Sequence, residues 1–398
     1  MKPGWEASTL GDVLEVLRNG VNCKQDKSGT GDKISRIESI SDAQFNSEKI
    51  GYATLADHER ERYRLKTGDI LFSHINSAIH VGKTAIFDIA EPIYHGVNLL
   101  LMRPKAIVTP AYLDHALKFL FQSGYWLGVC KQSVNQASVN QQDISKVRIS
   151  YPTLLSEQKR IVAILDEAFD GIATAKANAE KNLQNANRLF ASYLQSAFGQ
   201  NEEQVELSQV ATDISDGDHS PPPKSTSGVP FITISNIDKA SRRINFGDTF
   251  TVSAEYFAKL KPNRKPKRGD VLYTVTGSFG IPVLVDHDNE FCFQRHIGLV
   301  RPNASTDSRW LNYALLSPHV FAQANTRATG TAQKTVSLSV LRSILVPKVA
   351  LKTQRIVAAK LAELEVETQR LESRYQQKLA ALAELKKSLL HKAFSDRL

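Results

Sequence analysis

The strongest constraint on this chain is that it is written twice. Leu65-Lys66-Thr67-Gly68-Asp69-Ile70-Leu71-Phe72 returns as Pro266-Lys267-Arg268-Gly269-Asp270-Val271-Leu272-Tyr273, 201 positions later. Gln158-Lys159-Arg160-Ile161-Val162-Ala163 returns as Gln354-Arg355-Ile356-Val357-Ala358, with Arg160 and Arg355 195 positions apart. Met102-Arg103-Pro104 matches Val300-Arg301-Pro302, and Ser196-Ala197-Phe198 matches Lys392-Ala393-Phe394. The matches keep their order, and their period far exceeds the roughly 20–50 residues of a solenoid repeat. The expectation is two folded copies of one unit, which suits a target in two parts.

Its 398 residues suffice for two to three domains with separate cores. Hydrophobic content of 42% and charged content of 23% are those of a water-soluble globular protein. No run nears the roughly 20 apolar residues of a membrane span. Met1-Lys2-Pro3-Gly4-Trp5-Glu6 lacks a signal-peptide core, so a cytoplasmic location is expected. The three scattered cysteines, Cys23, Cys130 and Cys292, suit a reducing compartment and argue against a thiolate zinc site. A net charge of +9 favours a polyanionic partner without proving one.

From Ile161 to Phe198, apolar and small residues step by three and four through Ile161, Leu165, Ala168, Ile172, Ala175, Ala179, Ala186, Leu189 and Tyr193, with Asn182 the polar exception. From Gln354 to Phe394 the seam runs through Leu361, Leu364, Leu371, Tyr375, Leu382, Leu385 and Leu389, with Thr368 and Lys378 as polar steps. These spacings predict two long helices with coiled-coil seams. About 38 residues at about 1.5 Å each give a rod near 57 Å. One apolar stripe cannot face water alone, so the two rods are expected to pair, antiparallel, about a pseudo-two-fold axis.

Before each rod the chain is strand-rich. Asp69–Phe72, Thr84–Ile89 and Asn98–Met102 find counterparts in Phe231–Ile237, Asp270–Val275, Ile281–Val285 and Gly298–Val300. Pro110–Gln122 and Ser308–Ala324 read as short helices, and Pro221-Pro222-Pro223 with Ser225–Gly228 as a polar loop. The fold class is therefore α+β: two tandem mixed α/β units, largely antiparallel, each followed by a long helix.

Catalytic signatures are missing. Gly82-Lys83-Thr84 resembles the end of a phosphate-binding loop, but position 77 is Ser and the segment that follows has a strand pattern. There is no HExxH, CxxC, G-x-S-x-G or Asn-Pro-Pro-aromatic motif, and Gly277-Ser278-Phe279-Gly280 has no following helix. His74, His80 and His95 read as surface or loop residues rather than a metal set. On residues alone the chain is a binding protein and not an enzyme.

Polar loops recur at matched places. Candidate DNA contacts are Ser73, His74 and Asn76 with Lys131, Gln132, Asn135 and Gln136 in the first copy. Thr274, Thr276 and Ser278 with Arg327, Thr329, Gln333 and Lys334 correspond in the second. Amides and guanidiniums can pair with purine edges, while lysines and hydroxyls hold phosphates. Ordinary solvated loops would have the same composition.

Together these residues resemble the specificity subunit of type I restriction-modification systems. Tyr151-Pro152-Thr153-Leu154-Leu155-Ser156-Glu157-Gln158-Lys159-Arg160-Ile161-Val162 fits the family's helix start. Val346-Pro347 through Thr353-Gln354-Arg355-Ile356-Val357 repeats it, with Thr353 where Glu is usual. Asp216-Gly217-Asp218-His219 leading to Gly228-Val229-Pro230-Phe231-Ile232 fits as well. The resemblance implies target-recognition domains at residues 1–155 and 201–350 and helical spacers at 156–200 and 351–398. Each domain would read half of a split double-stranded DNA site, and Ile161, Leu165, Ile172, Leu189, Leu361, Leu364, Leu371, Leu382 and Leu385 would pair the helices. It further implies docking of two modification (methyltransferase) subunits and of restriction (translocase) subunits. Those partners would carry S-adenosylmethionine, ATP and magnesium, with no cofactor on this chain. A fused enzyme lacks a segment to hold its catalysis; a protein-only coiled-coil scaffold is the rival reading.

Overall fold

A computed structural model describes residues 3–27, 29–41, 43–133, 136–199, 203–219, 222–331 and 333–394. The chain divides into two compact units that cut across its halves. The first is Met1–Ala179 with Gln377–Leu398, and the second is Glu180–Gln376.

The first unit is built on a four-stranded antiparallel sheet in the order Leu14–Asn19, Leu100–Pro104, Ile70–Phe72, Thr84–Ile86. The second unit repeats the order with Ala211–Asp216, Ile297–Pro302, Val271–Thr274 and Pro282–Leu284. Registers repeat too: Ile70 pairs with Met102 and Ile86, as Val271 pairs with Val300 and Leu284. Even the irregularity in the first strand recurs, between Leu14 and Val16 and between Ala211 and Asp213.

Ile70–Phe72 is apolar throughout and Val271–Thr274 apolar except for Thr274, because both sheet faces are covered. Ile70, Phe72, Leu100 and Met102 face one core, while Leu71, Ala85, Leu99 and Leu101 face another. In the second unit Val271, Tyr273 and Val300 oppose Leu272, Val283 and Leu299 in the same way. The Gly-Asp and Arg-Pro matches turn out to be one device. Gly68 (φ 91°) and Gly269 (φ 94°) make a left-handed turn that favours glycine. The following aspartate accepts the N–H of Lys66 or Lys267, both at 2.8 Å. Its carboxylate then takes a two-pronged pair from Arg103 (2.6 and 2.7 Å) or Arg301 (2.9 and 2.7 Å).

Helix Pro110–Gln122 starts with Pro at its first turn and Thr109 capping the Tyr112 N–H. Its counterpart is not the single helix expected over Ser308–Ala324. Ser317 ends Ser308–Leu316 and caps a new helix, Pro318–Arg327, because Pro318 cannot donate to a continuing helix. The segment after Lys83 is a strand, Thr84–Ile86.

The long helices run Leu155–Gly199 and Leu351–Phe394. Within the first unit Ile161 and Leu165, near the start of one helix, share a core with Leu390 and Phe394, at the end of the other. The Lys386 ammonium lies 4.9 Å from the Phe169 ring centre. As numbers rise on one helix they fall on the other, so the segments are antiparallel. The second unit mirrors this: Leu194 and Phe198 join Ala358 and Leu361.

Two seam residues are corrected. Leu189 is 57% exposed and Leu385 47% exposed. A straight helix drifts about 20° per heptad against a strict seven-residue repeat. The buried stripe therefore steps to half-buried Leu183 and Phe190 in place of Asn182 and Leu189. Ile161, Leu165 and Leu361 are buried, while Ile172, Leu364, Leu371 and Leu382 are half-buried. The helix starts also align one residue differently from the Arg160–Arg355 match. Buried Gln158 corresponds to buried Gln354, which leaves Ile356 half exposed in the outward place of Arg160.

Candidate nucleic-acid interface

In the first unit the chain leaves the central strand as Ser73-His74 and forms a second, three-stranded sheet. Its order is Ile75–Asn76, Gln136–Ser138, Lys131–Ser133. Ser138 stands opposite Ile75 on one side and Lys131 on the other. Lys131, Gln132 and Gln136 are exposed, and Asn76 is half-buried, its amide donating to Ser73 Oγ at 3.3 Å. Asn135 lies outside the described residues.

Ser73 and His74 are 1% and 5% exposed, so neither is an outward reading residue. His95 is completely buried, its Nε2 3.0 Å from the Leu99 carbonyl. These histidines are interior, not surface, groups. Burial pushes the His74 pKa down to about 4 and that of His95 down to about 3. Both rings are neutral near pH 7.

Below Ser73 and His74 lies a cleft of about 560 Å³ lined by Asn19, His74, Ile75 and Ser138–Gln142. Gln141 Nε2 donates to Asn19 Oδ1, and Asn19 Nδ2 stands 3.4 Å from His74 Nε2. The sequence pattern does not single out Asn19, Gln141 or Gln142. For Asn19 the signal is the match of Asn19-Gly20 to Asp216-Gly217, which places it at the end of a strand present in both copies.

In the second unit Thr274 is wholly buried; its hydroxyl donates to Ser278 O and accepts the Ile281 N–H, both at 2.9 Å. It shapes a turn and reads nothing. Arg327 is also committed internally, to Ser343 (2.9 Å to Oγ) and to Gln323 (3.0 Å). Exposed Ser278 Oγ meets Lys239 Nζ at 2.8 Å, and exposed Lys334 meets Asn325 at 3.0 Å. Half-buried Thr276 forms an isolated bridge to Thr335, and Thr329 and Gln333 are exposed. The sequence-predicted residues thus gather around the matching loop pair in each unit, but only the exposed ones are free to touch a ligand.

A larger hollow in the second unit, about 880 Å³, lies between the loop Ala240–Ile244 and the second long helix. Glu365 on that helix pairs with Arg242 and accepts the Tyr313 hydroxyl at 2.6 Å. Among the described residues no group of three His, Cys, Asp or Glu stands together as a metal site, and no helix is long and apolar enough to cross a membrane.

Residues 2–184 and 203–381 each match the type I restriction modification DNA specificity domain. A chain of Methanocaldococcus jannaschii assigned as the specificity subunit of the type I restriction enzyme MjaX is 31% identical over 384 residues, covering 91% of this chain and 87% of that one. Two solved structures share the fold at 19% identity. One comes from a study of complex assembly and conformational transition in the type I R-M system (TM-score 0.74, 99% and 98% of the two chains). The other is the HsdS subunit of Thermoanaerobacter tengcongensis (TM-score 0.63, 99% and 97%). With the family's domain matched in both copies, this chain belongs to the type I restriction-modification DNA specificity family.

Proposed function

We propose that this chain is the DNA sequence-recognition subunit of a type I restriction-modification complex, reading a bipartite double-stranded target with one globular unit per half-site. The observation that carries this is the division of labour within the repeat. Sheet order, register, buried Asp–Arg pair and helix start are kept between copies, whereas the loops after the central strands differ at most positions. A duplicated scaffold with divergent loops suits two different half-sites.

On this reading residues 1–155 and 201–350 are the target-recognition domains, and 156–200 and 351–398 the spacers that set the unread gap. The chain itself performs no catalysis. Methyltransferase subunits, two by the repeat, and restriction subunits would dock on it, and S-adenosylmethionine, ATP and magnesium would belong to them. The net charge of +9 supports DNA as a partner. The test is binding to a duplex carrying the methylated site of the assembled complex, titrated with salt. Affinity is expected to fall by about three orders of magnitude between 50 and 200 mM salt, by release of counterions from phosphates. A protein-only scaffold would bind no DNA at any salt.

A further inference from the structure

The fold around the cleft beneath Ser73 and His74 repeats in the second unit, with different residues at the lining positions. His74 and Val275 occupy one position: Val139 N–H bonds to the His74 carbonyl as Val336 N–H bonds to that of Val275, at 2.9 and 2.8 Å. By the same alignment Asn19 corresponds to Asp216 and Gln141 to Leu338. In the second unit Val275 is buried in the apolar core and half-buried Leu338 packs against it. At the His74 and Gln141 positions the scaffold therefore accepts apolar residues, whereas the Asn19 position stays polar as Asp216, which pairs with His219. Of the three first-unit residues His74 is buried, Asn19 half-buried and Gln141 exposed, and the buried ring costs desolvation that a polar neighbour offsets.

Asn19 Oδ1 accepts from Gln141 Nε2, and Asn19 Nδ2 lies 3.4 Å from His74 Nε2, so the two amides and the ring form one polar chain. His74 thereby fixes Asn19, and Asn19 fixes Gln141 at the cleft rim. Asn140 is spent on the Asp143 N–H (2.8 Å) and carboxylate (2.7 Å). Next in the chain stands exposed Gln142, whose side-chain amide makes no hydrogen bond among those described. The lining contains no carboxylate and no cation, and the His74 ring is neutral. A neutral, amide-lined cleft suits a base edge and not a phosphate. Lys131, across from Ser138 on the exposed edge strand, is placed to take the backbone.

We propose that this cleft is a base-reading notch of the first unit, in which Gln142 reads an adenine in the major groove while Asn19, His74 and Gln141 act as positioning residues. An amide offers one donor and one acceptor, the complement of adenine N7 and N6. The inference rests on the DNA-reading function proposed above and assigns one contact within it.

The test uses the full chain with its modification subunits and reads methylation genome-wide. Wild type first defines the bipartite site; if it methylates no such site, the functional reading itself fails. Given that site, Gln142→Ala, an exposed change that leaves the core untouched, is expected to relax discrimination at one A·T pair of the half-site read by the first unit. That relaxation is expected at roughly ten- to hundredfold, with the other half-site unchanged. The double change His74→Val with Gln141→Leu installs residues the scaffold already tolerates in its second copy, and is expected to relax the same position. An unchanged pattern, relaxation at a G·C pair, or equal loss at both half-sites would overturn the proposal.

Discussion

The Gln158 side-chain oxygen accepts a 2.8 Å hydrogen bond from the backbone N–H of Thr109, tying the first turn of a long helix to the residue that caps a helix of the globular unit. Its Nε2 donates to the carbonyls of Ile107 (2.9 Å) and Pro152 (2.8 Å). Gln354 does the same for Asp307 N–H (2.7 Å), Ser305 O (3.1 Å) and Val349 O (2.9 Å). The Gln of the repeated helix start is thus a completely matched buried joint. Gln158→Leu strands three main-chain groups and is expected to cost about 3 kcal/mol. Thermal unfolding checks this against exposed Arg160→Ala as control; equal melting of the two variants would remove the joint from the account.

The Asp69–Arg103 pair is half of a device present in both units. Arg103→Lys keeps the charge and loses the fork, and Arg103→Ala leaves a buried carboxylate unpaired. Loss of roughly 3–5 kcal/mol is expected for the alanine change and a smaller loss for lysine. Hydrogen exchange should show the Ile70–Phe72 amides deprotected while Val271–Thr274 stay protected. Uniform deprotection would contradict two separate cores.

The antiparallel helix arrangement gives an unusual expectation. Phe394 packs on Tyr112 (5.4 Å between ring centres) and Phe119 (6.0 Å), and Phe198 on Trp310 (5.8 Å). Phe394→Ala should therefore weaken the first unit, and Phe198→Ala the second, each by about 3–5 kcal/mol. Exchange at Pro110–Gln122 against Ser308–Leu316 separates the two. Both changes weakening the same unit would mean parallel helices.

Histidine burial sets an acid sensitivity. The unfolded rings titrate at about 6.5, the folded ones at about 4 (His74) and about 3 (His95), so the folded state refuses protons that the unfolded chain binds. Their contribution is complete above pH 6.5 and is lost as pH falls toward 4 for His74 and 3 for His95. Each should cost about 1 kcal/mol by pH 5.5. Urea midpoints at pH 7.5 and 5.5 measure it, and His74→Val should shrink the difference. A difference unaltered by that change would place the sensitivity elsewhere.

Much of this fold is legible in the sequence because repetition doubles each weak signal. The pattern gives Pro110–Gln122 to the residue, since its cap, proline and apolar spacing agree. It misses the break at Ser317, where Pro318 outweighs the periodicity. It misplaces Leu189 and Leu385 because a seven-residue count hides the drift of a 3.6-residue helix. The candidate contacts are harder. Ser73 and Thr274 look like solvated loop residues, but the sheet is covered on both faces and buries them. Asn19 and Gln142, far apart in sequence, meet at one cleft only through the sheet order.

The central claim is that each unit reads its own half of the target. Its most direct test replaces residues 1–155 with those of a related subunit, in the assembled complex, and sequences the methylated sites. The account expects one half-site to change while the other half-site and the gap stay as they were. Change in both half-sites, or in neither, would contradict it.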